Sequence, residues 1–248
     1  MSLENSVEFL VFTYFGIDFN DDFDTILKSA IKVAYNDATM QGAYNALEKE
    51  NVESIKYNNV AHKLESAIKD DLLKDNSKGY EQWHKDICKE LVECYEKVTS
   101  NNKNPAFSYG NAQKWVNMTM KYLYILSEIF HDFNKDHNFE NHYDIIQKLY
   151  KELQVPVDSF IIESVWDEKK QIKGIPYNID KLNKATYGDG KNVPGKYNSE
   201  KVVPWSKWTD TKYKEFQEHL PEIFENHQPP LDWEHKAWIE IAKKRREK

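Results

Sequence analysis

Arginine is nearly absent from this chain: its two arginines, Arg245 and Arg246, lie among the last four of 248 residues. Arginine makes the commonest bidentate contact to base edges in duplex DNA, so the chain has almost no residue available to recognise bases in this way. The formal net charge of -7 also lacks the basic surplus that proteins coating nucleic acids carry. These shortages argue against a general nucleic-acid coating protein and leave room only for a local basic footprint.

Cysteine and long apolar runs are scarce as well. Cys88 and Cys94 are six residues apart, which matches neither a CxxC pair nor a disulfide framework, so we expect reduced thiols. No apolar run approaches the roughly 20 residues that a membrane span needs, and no basic region precedes the first apolar stretch as in a signal peptide. The GxSxG, HExxH, Walker and GxGxxG motifs are absent too. We expect a cytoplasmic protein without membrane contact, metal or other cofactor.

Helical periodicity dominates the first two thirds of the chain. Apolar residues recur at spacings of three and four over residues 23–34, and similar patterns follow over residues 60–73, 79–98 and 143–153. With 40% hydrophobic residues and a mean hydropathy of -0.80, an ample core is wrapped in a very polar shell. The polar run from His131 to His142 contains metal-ligand residue types, but its spacing matches no site, so we expect a solvated loop there. The pattern predicts an all-α fold with a single globular multi-helix domain over residues 1–248.

Glycine and proline, eight of each, cluster late in the chain. Residues 167–204 are rich in Gly, Pro, Asn and Lys and show little periodicity, which predicts a long irregular loop. The domain would therefore carry a loop excursion over residues 166–204, and two C-terminal helices would follow within residues 205–248. Trp205 and Trp208 adjoin this loop, where they could stack on exposed bases or belong to the core.

The stretch SYGNAQKWVNMTMKYLYIL, residues 108–126, places a polar turn directly before an apolar helix that we expect from about Gln113 to Phe130. Apolar residues cover most of this helix, which is typical of a helix at the centre of a molecule. Lys114 would then lie in the first turn, where the helix dipole disfavours positive charge.

Lys114 and Asp158 are the candidate catalytic residues. A lysine becomes a nucleophile when its amine is neutral near pH 7, and both burial and a positive helix end favour that form. The turn at Gly110 would leave free N–H groups suited to a phosphate. Asp158 follows Pro156 at the start of a short apolar helix, where a carboxylate is stabilised as an anion and could assist proton transfer.

The segments GNAQK (residues 110–114) and VPVDS (residues 155–159) resemble motifs of the helix-hairpin-helix DNA glycosylases, most of all the bifunctional 8-oxoguanine glycosylase/lyases. The likeness covers roughly residues 80–166, and Ala112 stands where the family hairpin has its second glycine. The segment YGNAQKWVNMTMKYL also resembles a group of uncharacterised bacterial proteins.

The resemblance implies a DNA base-excision glycosylase/AP lyase whose partner is duplex DNA. Lys114 would attack the sugar C1′ of a flipped nucleotide and form a Schiff base, while Asp158 would stabilise the developing positive charge. Gly110, Asn111 and Ala112 would bind the DNA backbone. Trp115 and Asn117 would line the pocket.

A non-catalytic interpretation remains open beside this one. Lys114 could extend its stem into solvent, and Asp158 could be an ordinary N-cap. The chain would then be a non-catalytic helical interaction or nucleic-acid-binding protein of unknown role, in a mobile-element or phage-defence context. The enzyme requires a positive groove past Gly110 and Lys114, for which Lys103, Lys121 and the lysines of residues 169–201 are available. The oligomeric state stays open.

Overall fold

A computed structural model describes residues 2–39, 52–74, 78–98, 107–139, 141–166, 205–224 and 228–247. Within these ranges every regular element is a helix and no strand is present, which confirms the predicted all-α fold. The predicted loop over residues 167–204 lies outside the described residues, and so do its lysines and Lys103. None of the described helices is both long and apolar enough to cross a membrane.

Nine α-helices lie in the described ranges. They are α1 (Leu3–Phe15), α2 (Phe23–Thr39), α3 (Val52–Ser66), α4 (Tyr80–Val98), α5 (Tyr109–Asp132), α6 (Tyr143–Leu149), α7 (Ser159–Trp166), α8 (Asp210–His219) and α9 (Pro230–Arg246). A π-helical segment, Ala67–Leu72, continues α3, and short 3₁₀ turns occupy Asp136–Phe139, Trp205–Lys207 and Leu220–Ile223.

The start of α5 differs from the expectation. The helix begins at Tyr109, four residues earlier than predicted, because Ser108 and Asn111 cap it reciprocally. The Asn111 N–H donates to Ser108 Oγ at 3.2 Å, and the Ser108 N–H donates to Asn111 Oδ1 at 3.2 Å. This is a capping box with asparagine in the place of the usual Glu or Gln. Lys114 therefore lies in the second turn, and Gly110, Asn111 and Ala112 are helical.

Packing divides the chain into two compact units. Unit 1 comprises Met1–Phe107 and Trp115–Tyr150, and unit 2 comprises Ser108–Lys114 and Lys151–Lys248. The boundary falls inside α5, so that the first turns of this helix count with unit 2. The single domain over residues 1–248 stays a prediction.

Unit 1 packs α2 against α3 and α3 against α4. The predicted apolar stripe of α2 is buried along its whole length; its members are Phe23, Ile26, Leu27, Ala30, Ile31 and Ala34. The end of α1 is attached to this core by Tyr14, whose hydroxyl lies 3.0 Å from Tyr122 Oη and donates to Asp37 at 3.3 Å. Most of the α1 surface remains exposed.

Unit 2 is built around α7 and α9, which pack along each other, with α8 and the turn Trp205–Lys207 completing the core. Trp205 and Trp208 are buried core residues. Arg245 ties α9 to α7, because its guanidinium donates to Glu163 at 2.7 Å and lies over the Phe160 ring at 3.8 Å.

Candidate functional site

The side-chain amide of Gln113 joins the start of α5 to the segment before α7. Its Nε2 donates to the Val157 carbonyl at 3.1 Å, and its Oε1 accepts from the Val157 N–H at 3.3 Å. Nε2 also donates to the Gly110 carbonyl at 2.9 Å. This two-way pairing brings the next residues on each side, Lys114 and Asp158, next to each other.

Lys114 and Asp158 form a buried ion pair, although 44 positions separate them in the sequence. Lys114 Nζ lies 3.3 Å from Asp158 Oδ2. The two residues are only 4% and 7% exposed. Nζ also lies 4.9 Å from the centre of the Trp205 ring, a cation–π distance. The amine is thus enclosed by a carboxylate and an aromatic face, and does not extend into solvent.

Asp158 also accepts hydrogen bonds from the start of α7. Its other oxygen, Oδ1, accepts from the N–H groups of Phe160 at 2.8 Å and Ile161 at 3.1 Å. These are two of the N–H groups that a helix start leaves without an intrahelical partner, so Asp158 caps α7. The Asp158 carboxylate therefore both caps α7 and serves as the counter-charge of Lys114.

The expectation of free N–H groups at Gly110 is wrong. The Gly110 N–H donates to the Trp208 carbonyl at 3.0 Å, and those of Asn111 and Ala112 donate to the Ser108 carbonyl at 3.1 and 3.0 Å. All three residues are buried. The donors are occupied because this segment is the first turn of α5, with the chain near Trp205 and Trp208 covering Gly110. Contact of these residues with a DNA backbone stays a prediction.

Trp115 and Asn117, the candidate pocket residues, lie in the core of unit 1. Trp115 donates its indole N–H to the Ile31 carbonyl at 2.9 Å and is fully buried. Asn117 Oδ1 accepts from the Tyr80 hydroxyl at 3.5 Å, and its side chain is also hydrogen-bonded to His84. Both residues thus satisfy polar groups inside a packed helical core, and their assignment to a ligand pocket stays a prediction.

A cleft in unit 1 has a volume of about 380 Å³, within the range of small-molecule sites. Its lining comes from the π-helical segment and α4 and is strongly charged; it includes Asp70, Asp71, Lys78, Asp86, Lys89 and Glu90. Lys78 reaches Asp86 at 3.9 Å, so some of these charges pair with each other. No proposed catalytic or pocket residue lines this cleft.

In the part of the chain that the structure describes, no three His, Cys, Asp or Glu residues are grouped as metal ligands. In the polar run that starts at His131, the His131 ring stacks on Tyr143 with ring centres 4.6 Å apart, and its Nδ1 lies 3.4 Å from Asp136.

His84 gives unit 1 a pH-dependent element. Burial lowers its pKa to about 3, because the charged imidazolium would lose its hydration inside the core. An unfolded chain binds the proton near pH 6.5. The neutral form therefore stabilises the fold fully above pH 6.5, and this contribution is lost as the pH falls from 6.5 towards 3.

We expect wild-type unit 1 to lose about 2 kcal/mol more unfolding free energy between pH 7 and pH 5 than a His84→Gln variant. Chemical denaturation at both pH values measures the difference. His137→Gln removes an exposed histidine and should keep the wild-type dependence. Parallel pH curves for wild type and His84→Gln would contradict the burial of His84.

No known protein family, curated protein or solved structure matches this chain. The interpretation of the site therefore depends on its geometry.

The arrangement around Lys114 combines a primary amine, a carboxylate and an aromatic ring in a closed space. An amine of this kind can form a Schiff base only if a carbonyl or sugar carbon reaches it, and the contacts to Asp158 and Trp205 now occupy its surroundings. Gln113, which positions the pair, was not among the residues predicted to belong to the site. The capping pair Ser108–Asn111 was not predicted either, although the sequence shows it as a serine followed three residues later by a side chain that caps in return.

Proposed function

We propose that this chain acts by binding a macromolecular partner, and that the Lys114–Asp158 pair belongs to its scaffold. The observation that carries the proposal is the closure of the site: Lys114 Nζ has Asp158 on one side and the Trp205 ring on another, with 4% of the residue exposed. A substrate would have to displace these contacts before any chemistry.

Two further observations support a scaffold role. The N–H groups of Gly110, Asn111 and Ala112 all donate within the chain, so the phosphate-binding donors that the enzyme needs are in use. The chain carries a formal net charge of -7, which repels a polyanion such as DNA outside any local basic patch.

A second candidate is the DNA glycosylase/AP lyase, and the short distance within the pair favours it. A lysine and an aspartate that the family resemblance assigns to one reaction lie 3.3 Å apart. In that reaction the Lys114 amine would form a bond to C1′ as the bond from C1′ to the base breaks. The base leaves with the bonding electrons, and opening of the sugar ring gives the imine. Trp205 would have to move away for a flipped nucleotide to enter.

Trapping with borohydride distinguishes the two functions. Duplexes with an abasic site or an oxidised guanine are incubated with the protein, and borohydride reduces any imine to a stable amine. We expect wild type and Lys114→Gln to give the same background yield, because surface lysines react slowly with an abasic site in any protein.

Peptide mass spectrometry of the wild-type adduct provides the control, since it does not depend on the folding of the variant. Adducts should be spread over exposed lysines such as Lys243, with none at Lys114. Concentration of the adduct at Lys114, with a loss of about tenfold or more in Lys114→Gln, would overturn the scaffold proposal and support the lyase.

A further inference from the structure

Trp238 on α9 has an exposed ring, unlike the other tryptophans. It is 39% exposed, whereas the others whose side chains the structure describes are at most 6% exposed: Trp83, Trp115, Trp205, Trp208 and Trp233. The longest run of basic residues in the chain, KKRR over residues 243–246, follows it on the same helix. The end of α9 therefore combines an exposed aromatic ring with a concentration of positive charge.

The Trp238 ring is held in place by α7. It stacks on the Phe160 ring, with ring centres 4.7 Å apart and an angle of 17° between the planes. The Arg245 guanidinium also lies over the Phe160 ring, 3.8 Å from its centre, and is itself anchored by Glu163. Phe160 covers one face of Trp238, and in the described ranges no second ring contacts Trp238. The other face can therefore receive a flat ligand, at little cost in side-chain freedom.

Cations without a carboxylate partner accompany this ring. Over residues 235–247 five Lys and Arg stand against two Glu, a formal charge of +3 in a chain of -7. Lys244 pairs with Glu240 at 3.7 Å. Lys243 and Arg246 are exposed, and neither pairs with an acidic side chain in the part of the chain that the structure describes. Their charge is thus free to attract a phosphate.

Trp238 and Arg246 lie on one side of α9. At 100° per residue, Trp238, Ala242 and Arg246 fall within an arc of about 80°, and Trp238 and Arg246 are about 12 Å apart along the axis. Lys243 lies about 60° beyond Arg246, whereas Lys236 lies about 160° from Trp238. We call Trp238, Lys243 and Arg246 the α9 platform.

We propose that the α9 platform binds single-stranded nucleic acid, with an unpaired base stacked on Trp238 and the adjacent phosphates bound by Arg246 and Lys243. Every base has a flat aromatic face, so stacking of this kind tolerates any sequence and needs no bidentate arginine contacts. A duplex is disfavoured because its bases are already stacked on each other. The inference rests on the proposed binding function and names the partner in it.

The size and charge of the α9 platform favour nucleic acid over a protein partner. A standard protein interface needs about 800 Å² on each partner, with an apolar centre. The α9 platform offers one exposed ring and two unpaired cations, which suits one base and the phosphates beside it. The net charge of -7 repels a polyanion from the rest of the chain and so confines the contact to this place.

Fluorescence anisotropy tests the proposal with the full chain and labelled oligo-dT and oligo-U of about 12 nucleotides. We expect a dissociation constant on the order of 10 µM at about 50 mM salt, and binding at least about tenfold weaker for a duplex of the same length. Oligo-dT and oligo-U should bind alike, because bases and phosphates are common to both.

Variants of Trp238 separate stacking from attraction by charge. Trp238→Leu keeps an apolar side chain on Phe160 but should raise the dissociation constant about tenfold or more, the value of one stacked base. Trp238→Phe keeps an aromatic face and should bind within about threefold of wild type. Binding should also quench part of the tryptophan fluorescence of wild type, and this quenching should be absent in Trp238→Phe.

Charge variants of α9 test the phosphate contacts. Arg246→Gln should weaken binding about threefold and lower the salt dependence by about 0.7 in the slope of log K against log salt. Lys236→Gln removes the same charge from the opposite side of the helix and should leave both values unchanged. Circular dichroism should show wild-type helix content in all these variants, because the replaced side chains are exposed.

Four results would overturn the proposal. They are the absence of binding at about 200 µM protein, equal affinity for the duplex, full binding by Trp238→Leu, and binding of inorganic polyphosphate of matched charge as tightly as the oligonucleotides. The last result would show that charge alone acts and that no base stacks on Trp238. The proposed function fails separately, by a borohydride adduct concentrated at Lys114.

Discussion

Replacement of Gly110 by alanine is expected to destabilise unit 2 by about 3 kcal/mol, the upper end of overpacking costs. A Cβ at this position would lie 1.8 Å from the Trp205 carbonyl oxygen and 2.9 Å from its carbon. The obstructing atoms are backbone, so the turn Trp205–Lys207 must move as a whole. Such a move breaks the hydrogen bond from the Gly110 N–H to the Trp208 carbonyl and withdraws the Trp205 ring from Lys114.

The sign of this effect makes the test informative. Gly110 is inside a helix, where alanine is normally more stable than glycine by about 1 kcal/mol. Helix propensity alone thus predicts that Gly110→Ala raises the unfolding free energy, whereas the close approach of the chain near Trp205 predicts that it lowers it. Hydrogen exchange measured by mass spectrometry should show protection of residues 205–224 falling by about two orders of magnitude, since 1.4 kcal/mol is tenfold.

Gly79→Ala is the matched control. No atom lies within 4 Å of a Cβ built there, and φ is +73°, so only the cost of a left-handed alanine remains. We expect a loss of about 1 kcal/mol, confined to unit 1. A Gly110→Ala protein as stable as wild type would show that the turn Trp205–Lys207 does not lie against α5.

The helices could be predicted because their signal is local. The stripe of α2 and the apolar length of α5 each follow from residues three and four apart; the stripe of α2 is buried throughout, and so are most of the apolar residues of α5. The start of α5 could not be placed by apolar periodicity, since the first two turns carry the polar side chains of Asn111, Gln113 and Lys114. Those side chains are buried by contacts within unit 2, which periodicity within one helix does not encode.

The proximity of Lys114 and Asp158 was implied by the resemblance to the glycosylase motifs, whereas neither the resemblance nor the composition indicated that Trp205 would cover them. Electrostatics alone does not single out this pair among the 34 basic and 41 acidic residues of the chain, and the resemblance rests on the segments GNAQK and VPVDS. The cover depends on the chain near Trp205, which is 91 positions after Lys114 in the sequence. No local pattern connects these positions, and the composition of residues 167–204 indicated only an irregular connection. The Gly110 N–H was expected to be free for the same reason, since its acceptor is the distant Trp208 carbonyl.

The pair itself carries the second large expected effect. Asp158→Ala leaves the Lys114 ammonium buried without a counter-charge and removes the acceptor for the Phe160 and Ile161 N–H groups. Breaking a buried pair from one side costs about 3–5 kcal/mol, and the lost cap adds about 1 kcal/mol. Urea denaturation followed by tryptophan fluorescence, together with hydrogen exchange at α7, measures the loss in unit 2.

Replacement of Lys114 should lower the unfolding free energy less than replacement of Asp158. Lys114→Met retains the apolar stem and leaves Asp158 with its two backbone donors, so we expect a loss of about 1–2 kcal/mol. Asp158→Asn keeps a cap acceptor but removes the charge, and it should fall between the two. The double variant Lys114→Met/Asp158→Asn leaves neither charge unpaired and should be at least about 1 kcal/mol more stable than additivity predicts. An exposed ion pair would give additive losses of less than about 0.5 kcal/mol in unfolding free energy. Such a result would contradict the burial of the Lys114 amine, on which the scaffold role depends.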